Sequence, residues 1–375
     1  MSIHVAVNGY GVIGKRVADA VADQDDMTLV GVADVTFDYR IRVAVERGYG
    51  IYASVPEQRS VMEAANVPVV GTLDDLLANV DVVVDCTPKS IGAKNKPHYE
   101  QAGVKAIFQG GEKHALTGLS FTAQVNYAEA LNKPYARVVS CNTTALCRVL
   151  HALQRHDWIK RARAVLLRRG TDPWESHRNG MINTAIPETK VPSHQGPDAQ
   201  TVMPGLDITT MAGAGPYNLS HLHFAMIETT RPVSLDELRH TLWEEPRIAF
   251  VHAGDGLVAL NAVIELMRDL RRPRNDMWEV AVWEDALAVD DREVYLAFQV
   301  HNEAITIPES IDAIRALTGS EFDAAASMAK TDRALGIVKS FFPHSVFERS
   351  EHRAMAERIQ QFQEEGFKGS EEPTP

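Results

Sequence analysis

The chain has 375 residues, 45% of them hydrophobic and 23% charged, a balance that excludes a collagen-like, coiled-coil or wholly disordered protein. Lys and Arg number 38 against 50 Asp and Glu, a net charge of -12 with no basic block, so a dedicated nucleic-acid surface is excluded; no apolar run is long enough to span a bilayer, so no membrane partner is expected. The length points to two domains.

A first strand is expected at Ile3–Val7, with no basic and apolar leader ahead of it, which leads to the expectation of a cytoplasmic protein. From there to about residue 140, short apolar runs alternate with helical patterns, the signature of βαβ units in a doubly wound parallel sheet. Further strands are expected at Leu29–Ala33, Val69–Val70, Val82–Asp85, Ala106–Phe108 and Arg137–Val139. After the first strand stands Gly9-Tyr10-Gly11-Val12-Ile13-Gly14, a G-x-G-x-x-G followed by a helical pattern. Gly9 suits the tight turn, Gly11 the approach of a pyrophosphate and Gly14 close helix–strand packing, so Gly9, Gly11, Val12, Ile13 and Gly14 are read as a dinucleotide loop. Asp34, twenty positions beyond Gly14 at the end of the second strand, is placed to accept from ribose hydroxyls, or else it caps a turn. A carboxylate there repels a 2′-phosphate, so NAD is expected over NADP unless Arg40 or Arg42 swings in. Thr87 and Pro88, and Gly110 and Gly111, follow later strands, where a cofactor crosses an open sheet.

Cys141, in Ser140-Cys141-Asn142-Thr143-Thr144, lies between an apolar strand and a helix expected over Thr144–Arg155, with Leu146, Val149, Leu150 and Leu153 on one face. Backbone N–H groups and the helix dipole favour a thiolate at such a junction. Cys86, inside a strand, and Cys147, inside the helix, read as buried apolar residues, and three cysteines so spaced suit neither a disulfide framework nor a metal site. The pattern then changes. Ala164–Arg168, Ser220–Glu228 and Val294–Val300 suggest a second, mixed or antiparallel sheet. Arg168 and Arg169 end the first of these strands and could grip phosphate oxygens. Residues 171–216, punctuated by Pro187, Pro192, Pro197 and Pro204, read as a stretch too long and irregular for a simple connector, of the kind that is commonly functional, with the 193–198 loop, including His194, Gln195 and Gly196, able to add donors to the same anion. His221 and His223 alternate on one strand face, where a histidine could serve as the base that a thiolate–aldehyde adduct needs. Ser234 and Glu237 form a capping box ahead of a helix at Leu235–Trp243. The mixed charges after Ser345 suggest an exposed helix that frays toward Pro375.

Together these residues resemble the archaeal-type, or class II, phosphorylating glyceraldehyde-3-phosphate dehydrogenases. The likeness rests on Val7-Asn8-Gly9 through Ala20, Ser140-Cys141-Asn142-Thr143-Thr144, Arg168-Arg169, Pro192-Ser193-His194 and Ser327-Met328-Ala329-Lys330-Thr331-Asp332, and covers roughly residues 2 to 340. It implies a Rossmann domain over 1–140 completed by a C-terminal helix at about 323–342, an α+β catalytic domain over 141–322 with a mostly antiparallel sheet, and a homotetramer. Cys141 is then the nucleophile and His221 the base. Ser140, Asn142, Thr143, His194, Gln195 and Gly196 line the substrate and phosphate sites, Arg168 or Arg169 holds substrate anion or cofactor phosphate, and Asn302 orients the nicotinamide. The substrates are a phosphorylated aldehyde and inorganic phosphate. Two departures stand out: many relatives carry Lys at the Asp34 position, and the family often has a second histidine where this chain has Gln195. The alternatives are a related dehydrogenase of another phosphorylated aldehyde or semialdehyde, and a nucleotide-responsive regulatory protein without turnover.

Overall fold

The computed structural model describes residues 2–109, 111–170 and 185–342. Two compact units divide the chain. The first draws on Met1–His151, Pro192–Ile208 and Asn302–Ile337, the second on Ala152–Val191, Thr209–His301 and Val338–Pro375.

In the first unit, β1 (Ile3–Asn8), β2 (Met27–Asp34), β3 (Ile51–Ala53), β4 (Val69–Thr72), β5 (Val82–Asp85), β6 (Lys105–Phe108), β7 (Ser120–Phe121) and β8 (Tyr135–Val138) form one parallel sheet, ordered β4-β3-β2-β1-β5-β6-β8-β7. The side chains of Val82 to Asp85 are all buried, as expected of a strand covered on both faces. Strand order reverses between β1 and β5, so the crevice at their carboxyl ends is the topological switch point where such sheets take ligands. β3 and β7 were not expected: at three and two residues they carry too little pattern to stand out. The helix Ile307–Thr318, buried almost throughout, packs in this unit and carries charges that are matched in place. Arg148 meets Glu309 with neither side chain exposed, and Arg315 holds Asp26. Breaking such a buried pair leaves an uncompensated charge, typically at a cost of about 3–5 kcal/mol. The helix Ala324–Leu335, capped by Asp323, packs in the same unit.

The second unit is built on β9 (Ile159–Arg169), β10 (Ile186–Pro187), β11 (Ile208–Gly215), β12 (His221–Thr229), β13 (Ile248–Val251), β14 (Val280–Trp283), β15 (Ala288–Asp290) and β16 (Glu293–Val300). Their order is β10-β11-β9-β12-β16-β14-β13, with β15 beside β16. The β12 pairings with β9 and β16 are antiparallel, and only β13 with β14 runs parallel among the pairs resolved. The mixed sheet is thus as expected. The capping box of Ser234 and Glu237 is present ahead of Leu235–Glu244. The irregularity expected over 171–216 is corrected in part: residues 171–184 lie outside the described residues, but Gln195–Gln200 is helical and β11 follows at Ile208–Gly215. The extension after Pro343 also lies outside them.

Candidate active site

The three glycines of the loop are required for three different reasons. A Cβ on Gly9, at φ +95°, would stand 2.8 Å from the Cys86 carbonyl carbon. On Gly14 it would stand 1.8 Å from the Gly9 carbonyl oxygen, so the helix Gly14–Ala22 packs on the turn only without a side chain. On Gly11 it would meet nothing within 4 Å among the described residues; that space is where a dinucleotide phosphate would approach. Ile13 caps the helix, and its carbonyl accepts from Val17 N–H at 2.9 Å. The Val12 carbonyl accepts from Arg16, whose guanidinium also pairs with Glu303 at 2.7 Å. Arg16 thereby fastens the loop to the segment carrying Asn302, which is itself buried.

Asp34 is buried and engaged: Oδ2 accepts from Tyr10 N–H at 2.6 Å, and Oδ1 from Val35 and Thr36 N–H at 2.7 and 2.9 Å. It therefore does cap the turn and tie it to the glycine loop, with lone pairs remaining for a hydroxyl. Arg40 is held by Asp38 through Nε and a terminal nitrogen, which opposes a swing toward Asp34; Arg42 is exposed. Beside the switch point lies a network that sequence reading missed. Asp85 accepts from Tyr99 OH at 2.6 Å, Asn95 at 2.9 Å and the Thr87 N–H at 3.0 Å, and Asn8 donates to Tyr99 OH. The hydroxyl of Thr87 also donates to Asp85, so both its hydroxyl proton and its N–H are committed there and a cofactor would find only acceptors at Thr87. Pro88 accepts from Ile91 N–H, Gly111 lies against Lys89, and Gly110 is outside the described residues. Cys86 sits just past β5 rather than within it, and burial with Asp85 nearby pushes its thiol up, which keeps it protonated. Burial does the same to Cys147.

Cys141 opens the helix Cys141–Gln154, which begins three residues before the expected start. The apolar face reveals a helix body but not its first polar turn. Ser140 is the cap: its carbonyl accepts from Thr144 N–H at 2.8 Å and its Oγ lies 3.4 Å from Thr143 N. The thiol is half-buried, within the first turn, where the dipole favours an anion. Thr143 is fully buried and its hydroxyl donates to Asp198 at 2.9 Å. Thr143 therefore serves the protein interior. Asp198 also pairs with the buried Arg137, at 2.5 Å. Through Asp198 the first unit brings the 193–201 segment to the Cys141 helix, with His194 exposed and Gln195 and Gly196 buried. Both amide atoms of Gln195 are buried without a hydrogen bond among the described residues.

Arg168, Arg169 and His221 belong to the second unit. Arg168 donates to Glu188 at 3.0 Å, which ties up part of its guanidinium. The Arg169 N–H donates to His221 Nδ1 at 3.0 Å. A 180° flip of the ring would put carbon there and forfeit that bond, so the neutral imidazole carries its proton on Nε2. His221 and His223 share the buried face of β12, their rings stacked at 6.3 Å. Burial first, then the charges of His223, Arg169, Arg168 and His301, hold His221 well below the ordinary histidine range. Burial and Arg168 bring His223 down to about 3. Among the described residues no cluster of His, Cys, Asp or Glu is arranged for a metal, and no helix is long and apolar enough to cross a membrane.

Residues 140–286 match the family model described as the glyceraldehyde 3-phosphate dehydrogenase C-terminal domain, and residues 3–142 that of the dihydrodipicolinate reductase N-terminus. Over 336 residues, 89% of this chain, it is 50% identical to a glyceraldehyde-3-phosphate dehydrogenase of Methanobacterium bryantii, covering 99% of that protein. The chain belongs to the glyceraldehyde-3-phosphate dehydrogenase family. Relatives of that name from Methanothermus fervidus, at 45% identity, and Methanosarcina barkeri, at 46%, align over the same share of this chain and over 99% and 98% of their own lengths.

Proposed function

We propose that this member of the family oxidises D-glyceraldehyde 3-phosphate to 1,3-bisphosphoglycerate with NAD and inorganic phosphate. The observation that carries the reading is the capped helix start at Cys141 in the same unit as the glycine loop, within a chain aligned almost end to end with relatives of that name. Cys141 is the nucleophile, and its thiolate adds to the aldehyde carbon to give an alkoxide. His221 enters with its proton on Nε2 and its Nδ1 lone pair taken by the Arg169 N–H, so it serves as a hydrogen-bond donor that holds the alkoxide; it would act as the expected base only in the other tautomer, with the Arg169 contact given up. The open space at Gly11 fits a dinucleotide phosphate, with Gly9, Val12, Ile13, Gly14, Thr87, Pro88, Gly110, Gly111 and Asn302 holding the rest. When bound, NAD supplies the acceptor for the hydride that leaves the adduct carbon. The resulting Cys141 thioester is released by phosphate, bound with the aldehyde by Ser140, Asn142, His194, Gln195, Gly196 and Arg168 or Arg169.

Asp34, with Arg40 held by Asp38, supports NAD over NADP. The enzyme acts in the cytoplasm as a homotetramer. The test is reduced-nucleotide formation from the aldehyde and NAD, with and without phosphate, repeated with NADP. Phosphate-dependent turnover preferring NAD is expected; phosphate-independent turnover, or none, would overturn the reading.

A further inference from the structure

The hydroxyls of the first turn around Cys141 converge on Asp198. Asp198, paired with the buried Arg137, is a carboxylate that accepts only. Thr143 has one hydroxyl proton and gives it to Asp198 Oδ2. The Ser140 hydroxyl lies 3.0 Å from Thr143 Oγ1. Thr143 has no second proton to offer, so along this contact Ser140 must be the donor. The chain then runs one way, from Ser140 to Thr143 to Asp198, and ends on the guanidinium of Arg137. Arg137 is further fixed by Ser120 at 2.7 Å and the Glu112 carbonyl at 3.1 Å.

We propose that Asp198 is a positioning residue that orients the Ser140 and Thr143 hydroxyls inward and so latches the first turn around Cys141 to the 193–201 segment. With its proton committed, Ser140 keeps its lone pairs for the Thr143 N–H, which is what a helix cap requires. Within the proposed substrate site Ser140 then serves by fixing the turn, and the donors to phosphate come from the other residues of that set. Asp198 acts through Thr143 rather than on a reacting atom. The inference rests on Cys141 as the reactive thiol, as the proposed function does.

The test uses the full chain and two readouts. The first is the pH profile of Cys141 alkylation by iodoacetamide, which needs neither aldehyde nor cofactor. Thr143→Val removes the latch and leaves the Arg137–Asp198 pair in place. It is expected to raise the thiol's apparent pKa by about one unit and so to slow alkylation at pH 7 about tenfold, since each unit is a factor of ten in thiolate, while Thr143→Ser stays within about twofold of the parent. The second readout is kcat in Thr143→Val, Asp198→Asn and the double variant, with folding checked by melting temperature. If the residues act as one unit, the double variant loses no more than the worse single one. Parent-like alkylation in a folded Thr143→Val, failure of serine to restore it, or additive losses in kcat would overturn the proposal. Should the parent show no turnover, the alkylation readout still decides it, so the two readings fail separately.

Discussion

Gln195 carries a buried amide whose use, in stability or in the proposed substrate site, one substitution separates. Its amide is buried, and neither polar atom makes a hydrogen bond among the described residues. Leaving such a group unsatisfied costs about 1–3 kcal/mol. An amide offers both a donor and an acceptor without charge, which matches a hydroxyl or carbonyl as well as a phosphate oxygen. Gln195→Met keeps the bulk and removes the polar atoms, so it is expected to raise the melting temperature of the ligand-free protein while raising KM for the aldehyde or phosphate about tenfold. Calorimetry paired with steady-state kinetics reads both quantities. A lowered melting temperature with unchanged KM would show that the amide serves packing alone. His221 carries a related lesson: its place on the strand was legible from alternation, but its tautomer was not, because the deciding donor is the backbone of Arg169 on a neighbouring strand.

At the scale of elements, the glycine loop separates folding from binding. Gly14→Ala drives a methyl to 1.8 Å from the Gly9 oxygen and is expected to destabilise by about 3 kcal/mol or more, since the backbone of the turn must move. Gly11→Ala meets no atom of the described residues within 4 Å, so its melting temperature should stay within about 2 °C of the parent while NAD affinity falls at least about tenfold. Thermal denaturation and a fluorescence titration with NAD distinguish the two; equal melting temperatures would refute the division. The same loop explains what was legible beforehand. Glycine spacing, the apolar run Val82–Asp85 and the alternation through His221 record local geometry, and local geometry is what periodicity registers. The Asp85–Tyr99–Asn8 network and the Arg137–Asp198–Thr143 latch join residues far apart in sequence, so no spacing announces them. β3 escaped because Ile51–Ala53 is too short for a pattern, and the first turn at Cys141 because a cap is polar.

For the whole molecule, the informative surface is the outer face of the second sheet. Register puts Leu222 opposite Leu167, Phe224 opposite Val165, and Met226 opposite Tyr295, so these six side chains share one face. Leu167, Phe224 and Tyr295 are 38, 40 and 39% exposed, an apolar patch of the kind that marks association surfaces. Light scattering on the full chain is expected to give about 166 kDa, four times 41.4 kDa. Phe224→Glu places a charge in the middle of the patch and should lower that mass; a parent mass near 41.4 kDa would overturn the assembly. Strand alternation makes the consequence reach further. Residues 222, 224 and 226 face outward because 221, 223 and 225 face the buried side, so the patch and His221 are the two faces of one strand. In the proposed tetramer, cover over the outer face would restrain the strand that carries His221, and dissociated Phe224→Glu is therefore expected to lose kcat as well as mass, although it alters no group assigned to the reaction. A dissociated variant with full kcat would show that the strand holds His221 without help from a neighbouring subunit.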